Sequence, residues 1–171
     1  MSNIINTLRA TSFIFALFIN LAYGEETTSS FFIAAANNDD ISSITQSLNS
    51  NTNEVSMMFD FGKKSESKQP RFSIILSDHE KKHIVSIQFI RNEEGVTSLA
   101  IKDVGQQLPL SNLGKSKRLS VVLSELTTNQ LGIHVKGEKN IHQVIDLPFN
   151  AQQLKFWLKG GELNMYYMIT R

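Results

Sequence analysis

Cysteine is absent from the 171 residues, and proline occurs only 3 times. Without cysteine the chain has no disulfide, no thiolate metal ligand and no thiol nucleophile, so a hydrophobic core must hold its fold. The sequence Asn-x-Ser/Thr is also missing, which leaves no acceptor for N-glycosylation. Both absences fit a bacterial envelope protein.

An excess of charge of either sign is lacking as well. The chain has 17 Lys and Arg against 16 Asp and Glu, with 41% apolar and 19% charged residues. The apolar share is that of a globular domain. The balanced charge gives no general attraction to nucleic acid or anionic lipid, so we expect no nucleic-acid partner.

Residues 1–24 have the three-part order of a cleavable signal peptide. A polar start carrying Arg9 is followed by the apolar run 10–21 and by Ala22-Tyr23-Gly24, with small residues at the two positions that signal peptidase reads. The apolar run is shorter than the roughly 20 residues that a spanning helix needs. We therefore expect export, to the periplasm or the extracellular space, with no transmembrane segment in a mature chain that starts near Glu25.

Residues 25–54 differ in composition from the rest, being rich in Asn, Ser, Asp and Thr. Their apolar residues Ile41, Ile44 and Leu48 recur at helical spacing after two aspartates that can cap a helix. The pattern predicts a partly ordered lead-in with a short helix over 41–48.

From residue 55 to residue 171 the apolar period changes to two, which predicts β-strands. About eight short strands joined by close turns favour an antiparallel β-sandwich or barrel. A second short helix is predicted over 151–158, capped by Asn150 and ended by Gly160-Gly161. The predicted strands are 55–61, 72–76, 83–90, 96–102, 119–123, 131–135, 141–147 and 163–169, with 131–147 as a hairpin.

The segment His79-Glu80-Lys81-Lys82-His83 matches the zinc-peptidase pattern H-E-x-x-H. That chemistry needs a helix, because only a helix puts two imidazoles four residues apart on one face. The polar surroundings and the position between two predicted strands favour a hairpin turn instead. We assign no catalytic residue, and His79 and His83 are kept only as candidate metal ligands.

Two further patterns concern metals and cofactors. His134 and His142 stand on the two arms of the predicted 131–147 hairpin and can lie near each other on one face, either as a two-histidine metal site or as two half-exposed strand residues. The glycines form neither a P-loop nor a dinucleotide fingerprint. No cofactor is expected.

Aromatic residues concentrate near the C-terminus, where Trp157 and Tyr166 are the candidate binding residues. Tryptophan and tyrosine dominate interface hot spots, which supports a binding patch. The alternative is that Phe156 and Trp157 pack into one end of the sandwich, since large aromatics mostly supply core burial.

The end of the chain carries one resemblance. Leu147-Pro148-Phe149, a short amphipathic stretch, Gly160-Gly161 and a final strand resemble the close of invasion-associated locus B type periplasmic domains. Those domains usually carry cysteines and this chain has none, so no function is taken from the resemblance.

These patterns favour a non-enzymatic binding or interaction domain of the bacterial envelope, associated with host interaction or secretion, whose partner is another envelope or host protein. One alternative is a zinc-dependent hydrolase using His79, Glu80 and His83. A second alternative is a structural or assembly subunit of a surface appendage or secretion system.

Overall fold

The structure is a computed structural model and describes residues 26–35, 41–62, 69–103 and 106–170. The predicted signal peptide, residues 1–24, lies outside the described residues and stays a prediction. Within these ranges no helix is long and apolar enough to cross a membrane.

The described residues form thirteen β-strands and no helix, and every strand pair is antiparallel. The strands are β1 (Glu26–Ala35), β2 (Ile41–Ser47), β3 (Glu54–Phe61), β4 (Arg71–Ser77), β5 (Ile84–Arg91), β6 (Thr97–Asp103), β7 (Gln106–Gln107), β8 (Ser111–Gly114), β9 (Arg118–Ser124), β10 (Gln130–Lys136), β11 (Ile141–Asp146), β12 (Gln153–Lys159) and β13 (Gly161–Thr170).

These strands make two sheets. One has six strands in the order β1-β13-β3-β9-β10-β11, and the other has seven, in the order β2-β12-β4-β5-β6-β7 with β8 paired to β6. The chain crosses repeatedly from one sheet to the other, as between β12 and β13. Of the two predicted antiparallel architectures, sandwich or barrel, the structure shows the sandwich, with one buried side-chain layer between the sheets.

Aromatic rings fill the centre of this layer. The ring of Phe59 lies 4.7 Å from that of Phe72 and 5.0 Å from that of Phe89, measured between centroids. Phe156 of one sheet lies 5.3 Å from Tyr167 of the other. Burying each such side chain stabilises the fold by about 1.5–3 kcal/mol, so this layer supplies the cohesion that disulfides cannot.

The eight predicted strands correspond to β3, β4, β5, β6, β9, β10, β11 and β13, and the predicted 131–147 hairpin is the pair β10–β11. The predicted number of strands is too low, because β1, β2, β7, β8 and β12 are also strands.

The predicted helix over 41–48 is wrong, because that segment contains β2. β2 pairs with β12 along its whole length, with Ile44 opposite Phe156. Ser42 is buried, and its hydroxyl donates to the carbonyl of Ala34 at 2.6 Å. Pairing with β12 thus overrides the helical spacing of the isoleucines.

The predicted helix over 151–158 is also wrong, because that segment contains β12. β12 lies between β2 and β4 and is hydrogen-bonded to both. Its residues Leu154, Phe156 and Leu158 are fully buried at every second position, which is strand periodicity. Gly160 and Gly161 have φ angles of 63° and 93°, and they form the turn into β13 rather than a helix cap.

Candidate functional site

The side chains that point away from the core form two outer faces, one on each sheet. Trp157 lies on the outer face of the seven-stranded sheet, between Ser43 and Ser73 on the neighbouring strands, and is half-buried. Tyr166 lies on the outer face of the six-stranded sheet and is 44% exposed. The structure does not bring these two candidate residues together.

A shallow cleft of about 410 Å³ lies beside Tyr166 on the six-stranded sheet. It is formed across the neighbouring strands β1, β13 and β3. We call it the Tyr166 cleft, and its outward-pointing lining residues are Ser30, Phe32, Met58, Asp60, Asn164 and Tyr166.

Strand register places these side chains in two rows that run across the sheet. In the first row Ser30 lies opposite Tyr166, and Tyr166 lies opposite Met58. The first row therefore contains one exposed aromatic ring with an exposed thioether beside it.

In the second row Phe32 lies opposite Asn164, and Asn164 lies opposite Asp60. The row continues onto β9 with Arg118, so it spans four strands, roughly 14 Å at the usual strand spacing. This row contributes an amide and a carboxylate to the cleft, and both groups can hydrogen-bond a ligand.

Arg118 holds the Asp60 carboxylate in place. Its Nε donates to both carboxylate oxygens, at 3.1 and 3.2 Å, and its Nη2 donates to Oδ2 at 2.9 Å. The hydrogen bonds to Asp60 raise the pKa of Arg118 above its usual value. A carboxylate has about four acceptor positions, so the clamped Asp60 still has one to offer to a ligand.

Tyr166 was a predicted binding residue, whereas Ser30, Phe32, Met58, Asp60 and Asn164 were not. Met58 and Asp60 alternate with the buried Phe59 and Phe61, so the same period of two that predicts β3 also places them outward. The sequence pattern does not reveal the register between β3 and β13, which places Met58 and Asp60 beside Tyr166 and Asn164.

A second cleft, of about 570 Å³, lies at one end of the sandwich. We call it the end cleft. Neutral polar side chains dominate its lining, and in the described part of the chain no Phe, Tyr or Trp contributes to it. The lining residues are Ser47, Leu48, Asn49, Ser50, Thr52, His79, Leu126, Thr127, Asn150, Ala151, Gln152 and Gln153.

The H-E-x-x-H segment forms the turn between β4 and β5, as the polar surroundings predicted, and not a helix. Asp78 organises this turn. Its Oδ1 accepts from the backbone N–H of Lys82 at 2.8 Å, and its Oδ2 lies 2.9 Å from Nδ1 of His83. The hydrogen bond to His83 lowers the pKa of Asp78. The His83 ring is thus hydrogen-bonded to Asp78, whereas His79 lines the end cleft. The zinc-hydrolase alternative requires both histidines on one helix, and this segment is a turn.

The described residues contain no group of three or more His, Cys, Asp or Glu side chains that could hold a metal ion. The two histidines of the β10–β11 hairpin do come together. His134 and His142 are direct cross-strand partners, and their ring centroids are 3.9 Å apart.

The fold is a sandwich of two antiparallel β-sheets. No protein-family model and no curated protein matches the sequence.

Three solved structures are similar to this one. The CBM2 module of the evolved Dit of Lactobacillus casei BL23 phage J-1 has a TM-score of 0.56 at 13% identity, over 83% of this chain and 77% of that one. Scytalido-glutamic peptidase has a TM-score of 0.52 at 6% identity, over 71% of this chain and 64% of that one. The Caenorhabditis elegans galectin LEC-6 has a TM-score of 0.49 at 15% identity, over 75% and 90%. At these identities the likeness to the first two shows the fold alone.

Proposed function

We propose that this protein is a non-enzymatic carbohydrate-binding domain that uses the Tyr166 cleft. One observation carries the proposal: an exposed tyrosine ring lies on the outer face of the sheet beside an amide, Asn164, and a carboxylate, Asp60, that is held by Arg118. The fold supports the proposal, because a carbohydrate-binding module is among the structures with the same sandwich.

Sugars have apolar C–H faces and hydroxyl edges. The ring of Tyr166 offers an apolar surface for a sugar face, and its hydroxyl offers a polar tip. Asn164 can donate and accept hydrogen bonds, while Asp60 accepts them. Since Asp60 is paired with Arg118, the cleft brings no isolated charge to the ligand, and a neutral glycan is the class that fits.

The end cleft has polar groups but, among the described residues, lacks a Phe, Tyr or Trp ring. The Tyr166 cleft has an exposed aromatic ring and polar side chains within two neighbouring rows. We therefore place the ligand on the sheet face and not at the end of the sandwich.

The test is affinity electrophoresis of the folded protein in gels that contain neutral polysaccharides, with a glycan array to choose them. We expect at least one neutral polysaccharide to retard the protein, and Tyr166→Ala to remove the retardation. Asn164→Ala should weaken retention about two- to tenfold, since a hydrogen bond to a ligand is worth about 0.5–1.5 kcal/mol.

The matched control is Leu110→Ala, which truncates a side chain that is 62% exposed and lies outside the cleft. It should be retarded like the unchanged protein. Absence of retention across neutral glycans, or equal retention by Tyr166→Ala, would refute the proposal.

We further propose that the domain acts outside the cytoplasm, in the periplasm or beyond the cell. The support is the order of polar start, apolar run and small residues in 1–24. Mass spectrometry of the native protein should find an N-terminus near Glu25. Finding Met1 still attached would contradict this part of the proposal.

A further inference from the structure

The β10–β11 hairpin carries a pair of imidazoles that the proposed glycan site does not use. His134 and His142 are both exposed on the outer face of the six-stranded sheet. Neither lines the Tyr166 cleft. Their rings are 3.9 Å apart between centroids, with a tilt of 50° between their planes.

We propose that His134 and His142 together bind a divalent transition metal ion such as Zn²⁺ or Cu²⁺. Imidazole nitrogen is a preferred ligand for both ions. A zinc ion sits about 2.0–2.1 Å from each nitrogen. Two rings already this close reach one ion by side-chain rotation, without movement of the backbone.

The strand register fixes the pair. His134 lies opposite His142, and the same strand β10 is held on its other side by β9, where Val122 is the partner of His134. The backbone positions of both ligands are therefore set before metal arrives, which lowers the cost of ordering them.

The pair supplies two protein ligands, and in the described part of the chain no third His, Cys, Asp or Glu completes a cluster. Water then fills the remaining positions. Such a site is exchangeable, unlike the closed four-ligand sites that zinc uses for structure.

Metal binding has a structural consequence, since among the described strands β11 is at the edge of its sheet and pairs with β10 alone. An ion held by one histidine from each strand links the edge to the sheet. We therefore expect Zn²⁺ to raise the melting temperature of the protein through this hairpin.

The test is calorimetric titration of the full folded chain with zinc chloride in a non-chelating buffer. We expect binding of one Zn²⁺ per chain. His134→Gln and His142→Gln should each weaken it at least about tenfold, because each removes one of two direct ligands. Both side chains are exposed, and circular dichroism will verify that the variants fold.

The chain has 4 histidines, which provides the matched control. His79→Gln changes an exposed histidine in the β4–β5 turn and should leave zinc binding unaltered. If His79→Gln removes the binding, or if neither hairpin variant changes it, the proposed site is wrong.

A second readout locates the ion independently of affinity. Added Cu²⁺ should broaden the ring NMR signals of His134 and His142 before those of His79 and His83. Simultaneous broadening of all four, or earlier broadening of His79 and His83, would overturn the assignment.

Discussion

Trp157 and Tyr166 project from opposite faces of the sandwich, Trp157 from β12 in the seven-stranded sheet and Tyr166 from β13 in the six-stranded sheet. The two strands follow one another in the chain, and the turn at Gly160 and Gly161 carries the backbone from one sheet to the other. Because a ligand lying on one outer face cannot contact the other, a ligand bound beside Tyr166 does not touch Trp157.

The first prediction follows from this separation. Trp157→Phe keeps an aromatic ring on the outer face of the seven-stranded sheet but removes the indole. Because the Tyr166 cleft lies on the other sheet, this substitution should leave polysaccharide retention unchanged. Tyr166→Ala should remove retention. Affinity electrophoresis of both variants in one gel measures the difference. If Trp157→Phe lost as much polysaccharide retention as Tyr166→Ala, the placement of the binding surface on the six-stranded sheet would be contradicted.

Strands whose apolar residues alternate cleanly could be predicted from the sequence. In β5, Val85, Ile87 and Phe89 are fully buried and the residues between them are not. Such a segment buries one face wherever it pairs, so its local pattern and its tertiary position agree.

The segments that became β2 and β12 could not be predicted, because their local signals favour helix. Alanine, glutamine, leucine and lysine around β12 are good helix formers, yet β12 is extended between β2 and β4. Long-range pairing decides such cases. The Tyr166 cleft depends on the same kind of pairing, since Asp60 reaches Asn164 only through the register of β3 with β13.

The second prediction concerns Phe59, which is 1% exposed and contacts rings from both sheets. Phe59→Ala removes this central ring and leaves a cavity, so the free energy of unfolding should fall by about 3–5 kcal/mol. Urea denaturation measures it. The neighbour Met58 is 38% exposed, and Met58→Ala should cost about 0.5 kcal/mol or less. Equal losses in the two variants would contradict the inward position of Phe59.

The third prediction concerns a hydrogen bond that joins the two sheets. The hydroxyl of Tyr167, in β13, donates to Oε1 of Gln46, in β2, at 3.2 Å, and Tyr167 is only 2% exposed. Tyr167→Phe keeps the ring and removes the hydroxyl, so it should lower the free energy of unfolding by about 0.5–1.5 kcal/mol. The adjacent exposed Tyr166 gives the control, since Tyr166→Phe should leave stability unchanged. A stability loss in Tyr166→Phe as large as in Tyr167→Phe would contradict the bond's role.

The fourth prediction concerns the acid side of the stability profile. The hydrogen bond from His83 lowers the pKa of Asp78 in the folded protein. A carboxyl whose pKa is lower folded than unfolded stabilises the fold above its unfolded pKa, near 3.9, and loses that contribution as the pH falls through its folded value. NMR titration of the Asp78 carboxyl carbon should therefore give a midpoint below about 3.9.

Asp78→Asn separates this contribution from general acid unfolding. The amide cannot ionise, so the difference in stability between the unchanged protein and the variant should shrink as the pH falls from the unfolded pKa of Asp78 through its folded pKa. The turn is exposed, and the effect should be small and confined to the β4–β5 hairpin, where amide hydrogen exchange measures it. A difference that grows as the pH falls, or an Asp78 midpoint above the usual aspartate value, would show that the carboxylate does not hold the turn through His83.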